Sequence, residues 1–177
     1  MSDSFSRNLP EGPSPLMQDE IRLRQAIELW RQAYEHQKRE EYDQAIRLYQ
    51  ESIAAYPTAE AHTFLGWAYS AVNRLDEAIA ECHKAIALDP DFGNPYNDIG
   101  VYLMKKGDLD DAIPWLQRAK TAPRYEPRHY PYINLGRIYL QRNAWREAER
   151  ELNEAVRIAP NDQGARKLLH EVWARLN

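Results

Sequence analysis

The strongest constraint on this chain is a segment of about 34 residues that occurs four times in succession. Small residues mark the register, because an alanine recurs at the matching place in all four copies and a glycine in the last three. Self-similarity at this period indicates stacked units that each bury an apolar face against the next. The copies span residues 26–58, 59–92, 93–126 and 129–162, with the marker residues Ala45, Ala78, Ala112, Ala148, Gly66, Gly100 and Gly136.

Each copy has the pattern of two helices joined by a short polar break. In the second copy, apolar side chains recur at helical spacing within residues 65–69 and 78–86, on either side of Asn73 and Arg74. Proline closes most copies, and it lacks the amide hydrogen that a helix needs to continue. The recurrent glycine or alanine predicts a point where the two helices approach closely, since a larger side chain would push them apart.

This pattern resembles the tetratricopeptide repeat, and the resemblance covers residues 26–162. His36 and Cys82 depart from it, because they stand where the family usually has aromatic residues. The resemblance implies an all-α fold, a right-handed α-solenoid of eight repeat helices, that acts as a scaffold or adaptor in protein–protein interaction. The residues that carry it in the third and fourth copies are Tyr96, Ile99, Gly100, Tyr132, Leu135, Gly136 and Tyr139.

The two ends of the chain extend the array. Residues 1–13 are rich in serine, proline and glycine and predict a disordered tail before a single domain at 14–177. From Ser14 and Pro15 the helical pattern runs unbroken into the first copy, so the first helix should extend upstream by two to three turns. Residues 163–177 keep helical spacing and predict the capping helix that a repeat array needs to cover its last apolar face.

Two extra residues separate the third and fourth copies, in a stretch that holds three prolines. Residues 122–132 therefore predict a stiff, extended loop instead of a regular helix. Its candidate functional residues are Arg124, Tyr125, Arg128 and His129.

Composition and spacing argue against several classes of function. A single cysteine, Cys82, excludes an intramolecular disulfide framework, and the five histidines show no pair at metal-ligand spacing on one helix. The net charge of −4 argues against general nucleic-acid binding, and no apolar run approaches the ~18 residues of a membrane span. We interpret Cys82 as a buried inert thiol, and His62 and His83, in facing halves of the second copy, as ordinary surface or packing residues.

Neither a Gly-rich phosphate loop nor a nucleophile–base pattern is present in the sequence. We therefore expect a protein without enzymatic activity, cofactor or metal. The first residues contain no apolar stretch of the kind that forms a secretory signal. Together with the composition, this predicts a cytoplasmic protein.

The resemblance also implies a concave groove, lined by the first helix of each unit, that takes extended or helical peptides. Some family members grip the C-terminus of a chaperone there with a two-carboxylate clamp of Lys, Asn and Arg. Those positions hold Trp30, Tyr34, Phe64, Asn94 and Asp98 in this sequence, so the clamp is absent. Carried over position by position, the groove residues are Trp30, Tyr34, Glu60, Thr63, Trp67, Asn94, Asn97, Val101, Met104, Tyr130, Ile133 and Arg137.

The aromatic end of this groove is compatible with two functions. In the first, Trp30, Tyr34 and Trp67 form one patch that binds a partner polypeptide, since tryptophan and tyrosine often dominate binding energy. In the second, the array is a structural self-assembly module, and its rings are covered by its own N-terminal segment, residues 16–25, or by a neighbouring copy in a homo-oligomer. A third function, regulation of an RNA or an enzyme, is disfavoured for RNA by the acidic balance.

Overall fold

The structure, a computed structural model, describes residues 14–176, and that range is all-helical apart from one isolated β-bridge. This confirms the predicted all-α solenoid. Each copy supplies one pair of helices, and connections of two or three residues force each pair to be antiparallel. The helices are α1 (Pro15–Lys38), α2 (Tyr42–Ala55), α3 (Ala59–Ala71), α4 (Leu75–Leu88), α5 (Asn94–Lys106), α6 (Leu109–Thr121), α7 (Tyr130–Gln141), α8 (Trp145–Ile158) and α9 (Gln163–Leu176).

The array is curved, with the odd-numbered helices on its inner side. Helices α1, α3, α5 and α7 each contact the next odd-numbered helix, whereas α2, α4, α6 and α8 contact only the helices adjacent in sequence within the described range. In a curved stack of repeats, the equivalent helices that contact each other from one repeat to the next lie on the inner side of the curve. The first helix of every repeat therefore faces the concave surface.

A helix lies at each end of the described range. The hydroxyl of Ser14 accepts a hydrogen bond from the amide of Met17 at 3.4 Å, and Pro15 begins α1, which runs without a break to Lys38. At the other end, Leu169 and Val172 of α9 pack on the buried apolar side of α8. The predicted disordered tail at 1–13 and the last residue of the predicted cap lie outside the described residues.

The recurrent glycines are packing positions, as predicted. A Cβ atom at Gly100 would lie 2.6 Å from the Leu116 side chain, and one at Gly136 would lie 2.6 Å from that of Leu152. Both distances are too short for real carbon atoms, so the second helix of the repeat occupies the space that a side chain would need. At Gly66 the constraint is a backbone oxygen, 3.0 Å from the Cβ position.

The second repeat buries a contact between a histidine and a glutamate. His62 Nδ1 lies 2.6 Å from Glu81 Oε2, and both side chains are buried. His62 is thus a packing histidine that contacts Glu81, while His83 points elsewhere and packs its ring edge-on against Trp115 at 5.2 Å. Cys82 is fully buried, and burial raises the pKa of its thiol well above the ordinary value, which fits the interpretation of an inert thiol.

The proline-rich connection is shorter than predicted. Helix α7 begins at Tyr130, so Pro131 sits in its first turn instead of in an extended loop over 122–132. Proline is tolerated there because the first-turn amides have no intrahelical acceptor. The remaining loop is tied to the α4–α5 connection, since Gly93 N donates to Arg124 O at 2.9 Å and Arg124 N donates to Asp91 O at 3.0 Å.

Among residues 14–176, no helix has the length and apolar character needed to cross a membrane.

Candidate functional site

A pocket of about 590 Å³ opens on the concave surface where four helices and the α6–α7 loop meet. Five of its lining residues are aromatic, and Asp98 is the one charged side chain among the described residues that line it. We call it the concave pocket. Its lining residues are Tyr34 from α1, Thr63, Phe64 and Trp67 from α3, Asn94, Asn97 and Asp98 from α5, Tyr125 and Pro127 from the loop, and Tyr130 from α7.

The aromatic wall of the pocket is one connected cluster. The Trp30 and Tyr34 rings stack with centroids 5.5 Å apart, and Phe64 meets them edge-on at 4.9 and 5.6 Å. Trp67 joins through Phe64, at 6.2 Å. The three rings that the sequence places in one patch do lie together, but Phe64 is the ring that connects Trp67 to the other two.

Trp30 and Trp67 differ in what they contact. Trp30 packs against the apolar core of the first two repeats, and its indole nitrogen is buried without a hydrogen-bond partner in the described range. It lines a separate, smaller pocket of about 290 Å³ between α1, α2 and α3. Trp67 is 50% exposed and lies outside the described core clusters. The prediction that the core does not need these rings is therefore wrong for Trp30 and holds for Trp67.

Residues 16–25 do not cover the aromatic wall. They belong to the same uninterrupted helix as Trp30 and continue away from it, so they cannot fold back over that ring. Their apolar side chains are themselves exposed, with Leu16 at 84%. The structure contradicts this form of self-coverage, while residues 1–13 lie outside the described range.

The α6–α7 loop forms the opposite wall. Tyr125 is 4% exposed and packs on Tyr96, Ala119 and Ala122. Gly93 makes this possible, because a Cβ atom there would lie 2.4 Å from Tyr125 Cβ. The loop thereby brings Tyr125 and Pro127 to the pocket.

A chain of polar side chains crosses the floor from α7 to α5. Arg137 donates to Asn134 Oδ1 at 3.4 Å, and Asn134 Nδ2 donates to the buried Asn97 at 3.0 Å. Asn97 Nδ2 in turn donates to Asp98 Oδ1 at 3.4 Å, a long hydrogen bond. The chain of donors ends at the Asp98 carboxylate.

The burial of the Asp98 carboxylate is offset by few favourable interactions. No lysine, arginine or histidine within residues 14–176 forms an ion pair with it. Burial raises the pKa of Asp98 to about 7, opposed only in part by the hydrogen bond from Asn97 and the more distant charge of Lys105. At neutral pH the site thus holds a carboxyl group close to its titration midpoint.

Several predicted groove residues pack inside the array instead of lining the pocket. Ile133 is 4% exposed and lies against Ala155 and Ala165, because α9 packs over α7 as a further repeat would. Val101 and Met104 are half-buried against the apolar side chains of neighbouring helices. The repeat register places these residues on the inner helices, but side chains of neighbouring helices cover them.

Other predicted residues lie outside the pocket and have local partners. Glu60 forms an ion pair with Arg124 at 3.0 Å, and Arg124 also pairs with Asp89. Arg128 donates to the Pro123 carbonyl at 2.8 Å. The other two are His129, which lies 3.3 Å from Asp162 Oδ2, and the exposed Arg137.

Asp98 and Phe64 line the pocket, yet from the sequence they were named only at the positions of the absent clamp and were not included among the groove residues. They occupy the same place in consecutive repeats, two positions before Gly100 and Gly66. That shared register was the available signal. Pro127 had no such signal, because it reaches the pocket only through the path of the loop.

Two models of the tetratricopeptide repeat match this chain, over residues 30–91 and residues 91–161. Both helices of the second and third units lie within these matches, together with most of the first and fourth. The chain belongs to the tetratricopeptide repeat family, as its resemblance predicted. Proteins of this family generally mediate protein–protein interactions.

Solved structures share the fold at low identity. Pseudomonas aeruginosa pilF matches with a TM-score of 0.81 and 20% identity, over 87% of this chain and 70% of its own. YrrB, a TPR protein with an unusual peptide-binding site, matches with a TM-score of 0.64 and 18% identity, over 79% of this chain and 72% of its own. The second TPR of Spaghetti (RPAP3), bound to the HSP90 peptide SRMEEVD, gives 0.56 and 24%, over 59% and 96%.

Proposed function

We propose that this protein is a non-catalytic adaptor that binds a segment of a partner polypeptide in the concave pocket. The observation that carries the proposal is the half-exposed Trp67 ring in a walled pocket of about 590 Å³. Ligand sites of this size are typically concave and lined mainly by apolar and aromatic groups with a few polar ones. An exposed aromatic surface usually marks an interaction site.

The fold family supports the same proposal. Two of the matched proteins bind peptides: YrrB has an unusual peptide-binding site, and the second TPR of Spaghetti (RPAP3) is bound to an HSP90 peptide. By analogy, an extended segment lying across the inner helices would contact Trp67 and Tyr130 with its side chains. The amide of Asn94 makes no hydrogen bond within the described part of the chain, and it is available to the segment's backbone.

The non-catalytic part of the proposal rests on the residues near the pocket. The thiol of Cys82 is buried and its pKa is raised, which disfavours a thiolate nucleophile. Among the described residues, no histidine or lysine pairs with Asp98 to exchange a proton with it. No cluster of His, Cys, Asp and Glu within residues 14–176 has the geometry of a metal site.

A random-peptide phage library tests the proposal directly. We expect the full-length protein to enrich a family of related peptides, and we expect Trp67→Ala to abolish that enrichment. Trp173→Ala is the matched control, because Trp173 is also exposed but lies on α9, outside the pocket. Enrichment of the same peptides by Trp67→Ala would exclude the concave pocket as the binding site.

Self-assembly is the second candidate function, favoured by the exposed apolar side chains of Leu16, Met17 and Ile21 at the start of α1. These side chains extend beyond the helix pair and would be buried in a dimer. Sedimentation equilibrium tests this candidate: Leu16→Ser/Ile21→Ser should dissociate a dimer that the wild-type protein forms. A wild-type monomer at all concentrations would exclude it.

A cytoplasmic location and the absence of nucleic-acid and membrane partners remain predictions from the sequence.

A further inference from the structure

We propose that the concave pocket binds an arginine side chain of the partner, with the guanidinium group on Asp98 and against the surrounding rings. This inference deepens the proposed adaptor function and rests on it. It concerns the chemistry that the partner segment must present, which the fold family does not specify.

Charge is the first argument. Two carboxylates of the second repeat have basic partners within the chain. Glu60 pairs with Arg124 at 3.0 Å, and Glu81 contacts His62 at 2.6 Å and Lys84 at 2.7 Å. From the part of the chain that the structure describes, the Asp98 carboxylate receives only the 3.4 Å hydrogen bond from Asn97. A partly buried carboxylate without a cation is costly, and a cation supplied by a partner would remove that cost.

The rings around Asp98 are the second argument. Tyr34, Phe64, Trp67, Tyr125 and Tyr130 line the same pocket as Asp98, which is only partly buried. Aromatic faces attract cations, tryptophan most strongly. A guanidinium group can stack on such a ring and donate two parallel hydrogen bonds to a carboxylate, which an ammonium group cannot. The combination therefore favours arginine over lysine.

No basic side chain among the described residues lines the pocket, and the basic side chains near it have partners of their own. Lys38 Nζ lies 5.3 Å from the centroid of the Tyr34 ring but also lies 2.6 Å from Glu35 Oε1, and Lys105 donates to Ser70 Oγ at 3.3 Å. Arg124 is held by Glu60 and Asp89, and Arg128 lies against Glu126 at 3.5 Å. An incoming arginine thus meets one carboxylate and uncharged groups.

Proton binding to Asp98 should be linked to arginine binding. Burial raises the pKa of this carboxyl group to about 7, and the bound arginine favours its ionised form, so affinity should increase from pH 6 to pH 8. The other titratable groups around it are Tyr34 on α1, Cys82 on α4, Tyr102 and Lys105 on α5, Tyr125 on the loop and Tyr130 on α7. Burial raises the pKa values of the Cys82 thiol and of the Tyr102 and Tyr125 phenols, so these three stay neutral over this range.

A titration with N-acetylarginine amide, followed by NMR, tests the proposal on the full-length chain. We expect the Trp67 indole N–H signal to shift as the ligand binds. The dissociation constant should be in the millimolar range, because a single side chain contributes only a few kcal/mol of binding free energy. The citrulline analogue has the same shape without the charge and should bind about tenfold more weakly. Asp98→Asn should weaken arginine to the level of citrulline, whereas Asp111→Asn, an exposed carboxylate on α6, should change nothing.

The outcomes separate this proposal from the adaptor function. Library peptides that depend on Trp67 but bind equally well to Asp98→Asn would overturn the arginine assignment and leave the adaptor function intact. Equal binding of arginine and citrulline, or no increase between pH 6 and pH 8, would also overturn it. A change of the Trp67 signal on Arg7→Gln alone would show that the chain's own N-terminal segment fills the pocket, and would overturn the assignment to a partner.

Discussion

Glu81 is the buried acid that the second repeat keeps ionised. Burial raises the pKa of this carboxyl group, but hydrogen bonds from His62 and Lys84 outweigh it, and the net pKa is lowered. A folded-state pKa below the unfolded value stabilises the protein above the unfolded pKa. That stabilisation is lost as the pH falls through the folded value. Acid should therefore weaken the second repeat through this residue.

We predict that Glu81→Gln lowers the free energy of unfolding at pH 7 by about 1–3 kcal/mol, because it replaces the charged acceptor of His62 and Lys84 with a neutral amide. The variant should also lose part of the dependence of stability on pH below 5. Urea denaturation at pH 7 and at lower pH values measures both effects. Glu51→Gln, an exposed glutamate on α2, is the control, and an unchanged acid dependence in Glu81→Gln would contradict this account.

For Asp98 we predict the opposite dependence of stability on pH. Its pKa is raised to about 7, so the folded state binds a proton more tightly than the unfolded state, and stability falls as the pH rises from about 4 to 7. Asp98→Asn removes this cost. We expect the variant to unfold at higher urea concentration than the wild type at pH 8 and to show little difference at pH 4. Lower stability of Asp98→Asn at pH 8 would show that the carboxylate is satisfied.

Gly93 should control the loop wall of the pocket. We predict that Gly93→Ala displaces Tyr125, because the new Cβ would lie 2.4 Å from Tyr125 Cβ, and that it destabilises the protein by about 1–3 kcal/mol. Gly93→Ala should cost less in a Tyr125→Gly background than in the wild type, because the side chain that it would displace is absent there. Thermal unfolding of the single and double variants measures this, and wild-type stability of Gly93→Ala would contradict the packing.

At the scale of the helices, α9 acts as the cap of the array. It covers the apolar side of α8 through Leu169 and Val172 and covers Ile133 of α7 through Ala165. Since each repeat contacts only its neighbours, the last repeat depends on this single helix for its outer interface.

We predict that Leu169→Ala costs about 2–5 kcal/mol, as expected for a buried leucine. Leu176→Ala on the same helix should cost less than about 0.5 kcal/mol, because Leu176 is exposed. Chemical denaturation of the two variants measures the difference. Equal effects would contradict the role of α9 as a cap.

The helices were more predictable from the sequence than the pocket. Helical spacing and the register of small residues report local backbone geometry and the contact between paired helices, so the pairs, the long α1 and the capping helix could all be predicted. Pro131 misled the prediction because a first helical turn accepts proline as readily as a loop does. Ile133 and Met104 misled it because register identifies the helix but not which neighbour covers a side chain.

At the scale of the whole molecule, curvature assembles the pocket. Residues from four helices and one loop, spread over about 100 positions, converge because the first helix of each repeat lies on the inner side. No single repeat contains the aromatic wall, the carboxylate and the loop wall together. This explains why the sequence alone did not predict that Asp98 lies in one pocket with the Trp67 and Tyr125 rings.

The affinity of a library-selected peptide for the wild type and for Trp67→Ala tests the central claim most directly. We predict a loss of about 30-fold by isothermal titration calorimetry, equivalent to roughly 2 kcal/mol at a binding hot spot, with wild-type affinity retained in Trp173→Ala. The free energy of unfolding of Trp67→Ala should stay close to that of the wild type, because half of the ring is already in water. Unchanged peptide affinity together with a large loss of stability would show that Trp67 is a core residue and that the concave pocket is not the binding site.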